Sequence, residues 1–230
     1  MLCRHKVIQA ECAFCCKFRF SPKQQMFHDC RFSPRTRCGY TQNLEEKYIL
    51  EHARGSRFLD IGAYDGETLS STKALVEKGW TGVYVEPNPL VLPKLYEYAK
   101  GSQNQVLPVA IGKTCEKLTF YANGDMVGSL DKKHTDMWSK NNAMTFEPVL
   151  VDVVDVDTLG QQIGYDFDFL NLDVEGLNWD IFQDFDWNKW KFNFVCIEYD
   201  RKFIDMKHIL EDNGFSVVYA SPENILAKRQ

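Results

Sequence analysis

The chain has 230 residues, 44% of them hydrophobic and 26% charged, with a net charge of −5. That length holds one α/β domain with a sizeable core plus a small appendage, and excludes two full domains. No apolar run approaches the roughly 20 residues that cross a bilayer, and the opening residues, broken by Arg4, His5, Lys6 and Gln9, do not read as a secretory signal, so a cytoplasmic protein is expected.

Charge and cysteine both concentrate at the start. Residues 1–40 hold eight Lys or Arg against two acids, a balance of +6, which leaves nineteen against thirty, or −11, for residues 41–230. A basic arm can pack on an acidic body or grip an acidic ligand; so acidic a body is a poor surface for phosphate backbones, and only the arm leaves a nucleic-acid contact open. Six of the eight cysteines fall in the first 38 residues. Cys12-x-x-Cys15 has the spacing of half a zinc site, and Cys30 with Cys38 could complete a four-thiolate tetrahedron, with His5 and His28 as spare ligands. The second half lacks the close pair of a zinc ribbon, so zinc, disulfides and free thiols stand as alternatives. Arg19-Phe20-Ser21-Pro22-Lys23 echoes as Arg31-Phe32-Ser33-Pro34-Arg35, which suggests paired turns rather than a repeat array.

From residue 41 the pattern becomes that of a folded α/β unit. Leu44, Tyr48, Ile49 and His52 are spaced for an amphipathic helix over residues 41–52 that closes the sheet or covers a ligand. Arg57-Phe58-Leu59-Asp60-Ile61-Gly62-Ala63-Tyr64-Asp65-Gly66 then reads as a strand and a tight glycine turn, with a helix over residues 68–78 ending at Gly79. The next strand ends at Glu86, twenty positions after Gly66, a distance that suits an acid binding the two hydroxyls of a ribose. A second helix is expected over residues 88–100, with Leu92, Leu95, Tyr96 and Ala99 on one face, and a third strand over residues 105–112. Leu118 to Tyr121 looks like an excursion strand. The polar stretch 131–147, with His134 and Trp138, lacks periodicity and suits a mobile lid or specificity insertion. A half-exposed strand from Val149 leads to a helix start at Asp157-Thr158-Leu159, and strands over residues 167–172 and 192–198 place Asp173, Glu175 and Glu198 at one sheet edge.

Three segments, Asp60-x-Gly62-Ala63-x-x-Gly66, Glu86-Pro87-Asn88-Pro89 and Asp173-Val174-Glu175-Gly176, together resemble the FkbM family of S-adenosylmethionine-dependent methyltransferases over roughly residues 55–200. The resemblance implies a Rossmann-like class I methyltransferase sheet of seven strands, mostly parallel with a terminal antiparallel hairpin, occupying residues 41–230 behind the Cys-rich segment 1–40. It implies methyl transfer, usually to oxygen. The cofactor site it implies comprises Asp60, Gly62, Ala63, Tyr64, Gly66 and Thr68 of the first turn, Glu86, Pro87 and Asn88 after the second strand, and Ala110 and Ile111 beside the adenine. The helix after Gly66 would aim its amides at the methionyl carboxylate. Gly128-Ser129-Leu130 resembles a family loop near the substrate entrance.

Methyl transfer needs an acceptor aligned behind the methyl group and, for an alcohol, a proton acceptor. Asp173, Glu175 and Glu198 are the catalytic candidates, with His134 as a loop candidate; the same three acids could instead hold a divalent ion. The expected acceptor is a hydroxyl of a sugar, glycan or small metabolite. Two other readings stand beside it: a non-catalytic recognition module acting through its basic arm, and a dehydrogenase using the same strand-turn-helix logic.

Overall fold

The computed structural model describes residues 39–230. Cys12, Cys15, Cys30 and Cys38, the candidate zinc ligands, and the echoed turns lie outside the described residues. The compact unit described here runs from Tyr40 to Gln230.

In chain order its elements are α1 (Glu45–His52), β1 (Arg57–Ile61), α2 (Lys73–Val76), β2 (Thr81–Val85), α3 (Leu92–Ala99), β3 (Gln105–Leu107), β4 (Ala110–Ile111) and β5 (Glu116–Ala122). They continue as α4 (Lys132–Asn142), β6 (Glu147–Val154), α5 (Val156–Ile163), β7 (Phe169–Leu172), α6 (Asn178–Gln183), β8 (Phe194–Glu198), α7 (Phe203–Asp212), β9 (Phe215–Ala220) and β10 (Asn224–Arg229). Seven strands form one sheet in the order β3-β2-β1-β7-β8-β10-β9. β3, β2, β1, β7 and β8 run parallel, and β10 enters antiparallel between β8 and β9.

The alternation of strand side chains divides the core in two. Leu59 and Ile61 of β1, Leu170 and Leu172 of β7, and Val195 and Ile197 of β8 face a core shared with Val156 and Leu159 of α5, Phe182 of α6 and Leu210 of α7. Phe58, Phe169, Phe194 and Cys196 point the other way, to Ile49 of α1, Leu75 of α2 and Leu95 of α3. Burial on both faces is why these strands read as nearly continuous apolar runs. α1 closes the sheet at its C-terminal hairpin, where Tyr48 stacks on Tyr219 with ring centroids 4.0 Å apart.

Several expectations need correction. The single strand over residues 105–112 is two strands in two sheets. β3 pairs with β2, whereas β4 pairs with β6 in a separate sheet ordered β4-β6-β5. Pro108 lies at the break and has no N–H to extend the ladder. The helix expected over residues 68–78 shrinks to the single turn of α2 because the backbone turns left-handed at Leu69, φ 53°, which breaks any helix begun before it. Asp65 Oδ1 accepts from the amides of Glu67 (3.0 Å) and Thr68 (2.7 Å), and Ser70 Oγ from that of Lys73 (3.1 Å). Residues 132–142 are not an irregular lid but helix α4, capped by Asp131, whose carboxylate accepts from the Lys133 amide at 2.8 Å. α5 begins before Asp157, with Asp155 as its cap accepting from Thr158 at 2.7 Å. α3 buries Leu95 and Ala99 but leaves Tyr96 exposed. Among the described residues no helix is long and apolar enough to cross a membrane.

Candidate active site

A cleft opens where β1, β2 and β7 end, the edge at which open α/β sheets bind ligands. It encloses about 920 Å3 including its open mouth. Of the site residues expected from the sequence within this unit, all line it except Gly66, Glu198 and the loop candidate His134. Gly66 faces α3, since a Cβ there would stand 2.5 Å from the ring of Tyr98.

Asp60 lies at the closed end, almost fully buried. Its Oδ2 accepts from Thr72 Oγ1 at 2.6 Å and its Oδ1 from Asn171 Nδ2 at 2.9 Å, Asn171 being its register partner on β7. Burial pushes Asp60 up to about 6, against the pull of those two hydrogen bonds. Glu86, also buried, accepts from the amide of Asn88 at 2.8 Å and that of Tyr64 at 2.9 Å, and burial pushes it up to about 7. Each of its oxygens keeps a second lone pair. Tyr64 is held at φ 50°, with its hydroxyl donating to the Gly124 carbonyl at 3.1 Å.

The amides of the glycine turn are engaged within the protein. Gly62 and Ala63 both donate to the Val85 carbonyl, at 2.9 and 3.2 Å, and Gly66 to Ala63 at 3.0 Å. α2 is only one turn long, and Thr68 to Ser71, which lead into it, line the cleft. The polar end is lined by Ser70, Ser71 and Asn171, which the sequence reading missed. A Ser-Ser-Thr run beyond the glycines and an amide inside the apolar strand Phe169–Leu172 were the available signals. Val109, Ala110, Ile111, Phe120, Leu130 and Leu177 give the cleft an apolar side.

At the mouth, Asp173 is hydrogen-bonded to Glu198 behind it. Two carboxyls in such contact share a proton; burial pushes both well above the ordinary range, the charge of Glu175 adds to this at Asp173 and that of Asp173 at Glu198, while the hydrogen bond to Glu198 pulls Asp173 part of the way back. Buried Asn178 fixes this corner, donating to Glu198 Oε2 at 2.6 Å and accepting from the Val174 amide at 2.8 Å. Glu175 turns away to His134, with Oε2 2.9 Å from Nε2. Among the described residues no group of three or more His, Cys, Asp or Glu side chains is arranged to hold a metal ion.

A mostly parallel seven-stranded sheet with an antiparallel strand inserted next to its far edge, and a cleft where its first strands end, defines a class I methyltransferase. Residues 60–217 match the family described as "Methyltransferase FkbM domain", and the chain belongs to that family of S-adenosylmethionine-dependent methyltransferases. Solved structures that match include the fibrillarin pre-rRNA processing protein of Methanococcus jannaschii, at 16% identity and a TM-score of 0.39, with 77% of this chain and 67% of that chain covered. No curated protein matches the chain.

Proposed function

We propose that this chain methylates a hydroxyl oxygen of a sugar, glycan or other small metabolite. The hydrogen-bonded Asp173–Glu198 pair carries the reading. An alcohol must give up its proton as its oxygen bonds to carbon, and Asp173 lines the cleft with a basicity raised toward neutrality by burial. An ordinary exposed carboxylate would be too weak a base for that task at neutral pH.

The lining supports S-adenosylmethionine as the occupant. Glu86, with a free lone pair on each oxygen, suits two ribose hydroxyls, with Pro87 and Asn88 shaping that bend. Ala110 and Ile111 on the apolar side suit the adenine, and the buried Asp60 suits the methionyl ammonium. Gly62, Ala63 and Tyr64 form the backbone wall between these ends, with Thr68 beyond them. Bound there, the cofactor would supply both an electrophilic methyl group and its own leaving group. The protein then has only to align the acceptor and take up a proton.

The test is incubation of the full chain and methyl-labelled S-adenosylmethionine with fractionated small metabolites and glycans, followed by locating the label. An alkali-stable methyl ether supports the proposal. Label found only on nitrogen, sulfur or a carboxylate ester refutes it.

A further inference from the structure

The turn that carries Asp173 is strained. Glu175 sits at φ 57° and Gly176 at φ 93°, and a left-handed conformation at a residue such as Glu175 costs on the order of 1–3 kcal/mol unless its surroundings impose it. Two supports come from the main sheet and the helix that follows the turn: the Asp173 amide donates to Ile61 O of β1 at 2.9 Å and the Val174 amide to Asn178 Oδ1 of α6 at 2.8 Å. Two more come from the excursion between β5 and β6. Ser129 Oγ donates to the Glu175 carbonyl at 2.7 Å, and His134, on the first turn of α4, meets the Glu175 carboxylate. The ring of His134 also covers the turn, because a Cβ on Gly176 would stand 2.9 Å from Nδ1 and 3.2 Å from Cγ.

Nε2 of His134 has two claimants. It lies 2.9 Å from Glu175 Oε2 and 2.8 Å from Trp138 Nε1, an indole that can only donate. Nε2 has one in-plane position. Carrying a proton it donates to Glu175; once the ring is neutral its one proton can sit on Nδ1 instead, and Nε2 then accepts from Trp138 and releases Glu175.

We infer that His134 is a positioning residue for methyl transfer, which grips Glu175 and so holds the Asp173–Gly176 turn at the mouth of the cleft while Nε2 carries its proton. This rests on membership of the methyltransferase family and not on oxygen as the acceptor atom. The charged groups acting on the ring are Glu175 from the β7–α6 turn, Asp131 from the cap of α4 and Asp200 from the segment after β8. Burial alone would lower the imidazole, but the hydrogen bond and charge of Glu175, with Asp131 and Asp200, outweigh it and hold the ring above its ordinary 6.5. The grip is therefore fixed while the ring is charged, below its ordinary 6.5, and is weakened as pH rises through the raised value.

The test is backbone hydrogen exchange on the full chain saturated with S-adenosylhomocysteine, corrected for intrinsic exchange at each pH. In His134→Ala the Asp173 and Val174 amides should exchange at least tenfold faster, with those of β1 unchanged. His134→Gln, whose amide can donate to Glu175 at any pH, should restore most of that protection and abolish its decline at alkaline pH. Wild-type protection in His134→Ala, or a Gln variant that behaves like the Ala variant, would overturn the inference. If His134→Ala does not fold, titration of the imidazole by NMR decides: its midpoint should fall by about one pH unit in Glu175→Gln, and an unchanged midpoint would overturn the inference equally.

Discussion

A Cβ on Gly62 would stand 1.7 Å from the carbonyl oxygen of Asp173. The turn after β1 and the turn after β7 therefore cross with backbone against backbone, and the two halves of the cleft are fixed to each other there. Gly62 also sits at φ 85°, where any side chain is strained.

Gly62→Ala should cost about 3 kcal/mol or more, from steric displacement added to backbone strain. In thermal melts that is a Tm lower by roughly 6–12 °C for a domain of this size. A Tm within about 1 °C of wild type would contradict the crossing.

Asp60 gives the protein a pH dependence of definite sign. Its folded value of about 6 lies above its ordinary 3.8, so the stability it contributes is complete below 3.8 and is lost as pH rises through 6. Glu86 acts alike between 4.5 and about 7. Capping acids such as Asp155, held below their ordinary value by the Thr158 amide, act in the opposite sense, so the comparison must be with a variant. Asp60→Asn should flatten the ligand-free melting profile between pH 4 and pH 7 by about 3 kcal/mol at most. Parallel profiles for the two proteins would contradict the buried, raised carboxyl.

Much of this site was legible because its signals are local. Asp60, Gly62, Glu86 and Asp173 each stand at a strand end beside a turn, and a sheet buried on both faces announces its strands as apolar runs. What escaped depended on partners far along the chain. Pro108 shows where a strand breaks but not that Ala110 will pair with Val153 in another sheet. Among the residues of α4 only Thr135 is buried, so no apolar stripe marked the helix. The backbone turns left-handed at Leu69 and cuts the second helix to one turn, against a periodicity that favoured a longer one. Asn171 acquires its role only through Asp60 on the neighbouring strand.

The Asp173–Glu198 pair can be separated chemically. Glu198→Ala removes the partner whose hydrogen bond holds Asp173 down, so Asp173 should become less acidic. In carboxyl carbon NMR the Asp173 resonance should titrate higher than in wild type. An unmoved titration would show that the two carboxyls do not share a proton, and the proposed proton acceptor would lose its support.

The central claim is that this cleft is built for S-adenosylmethionine, and calorimetry on the full chain tests it most directly. S-adenosylhomocysteine should bind with one site per chain, and Glu86→Ala should weaken it roughly 10–100-fold, the loss of about 1.5–3 kcal/mol that removing a charged hydrogen-bond acceptor brings. NAD should give no binding heat. Binding of NAD with no binding of S-adenosylhomocysteine, or an affinity for S-adenosylhomocysteine that Glu86→Ala leaves unchanged, would contradict the assignment of this cleft.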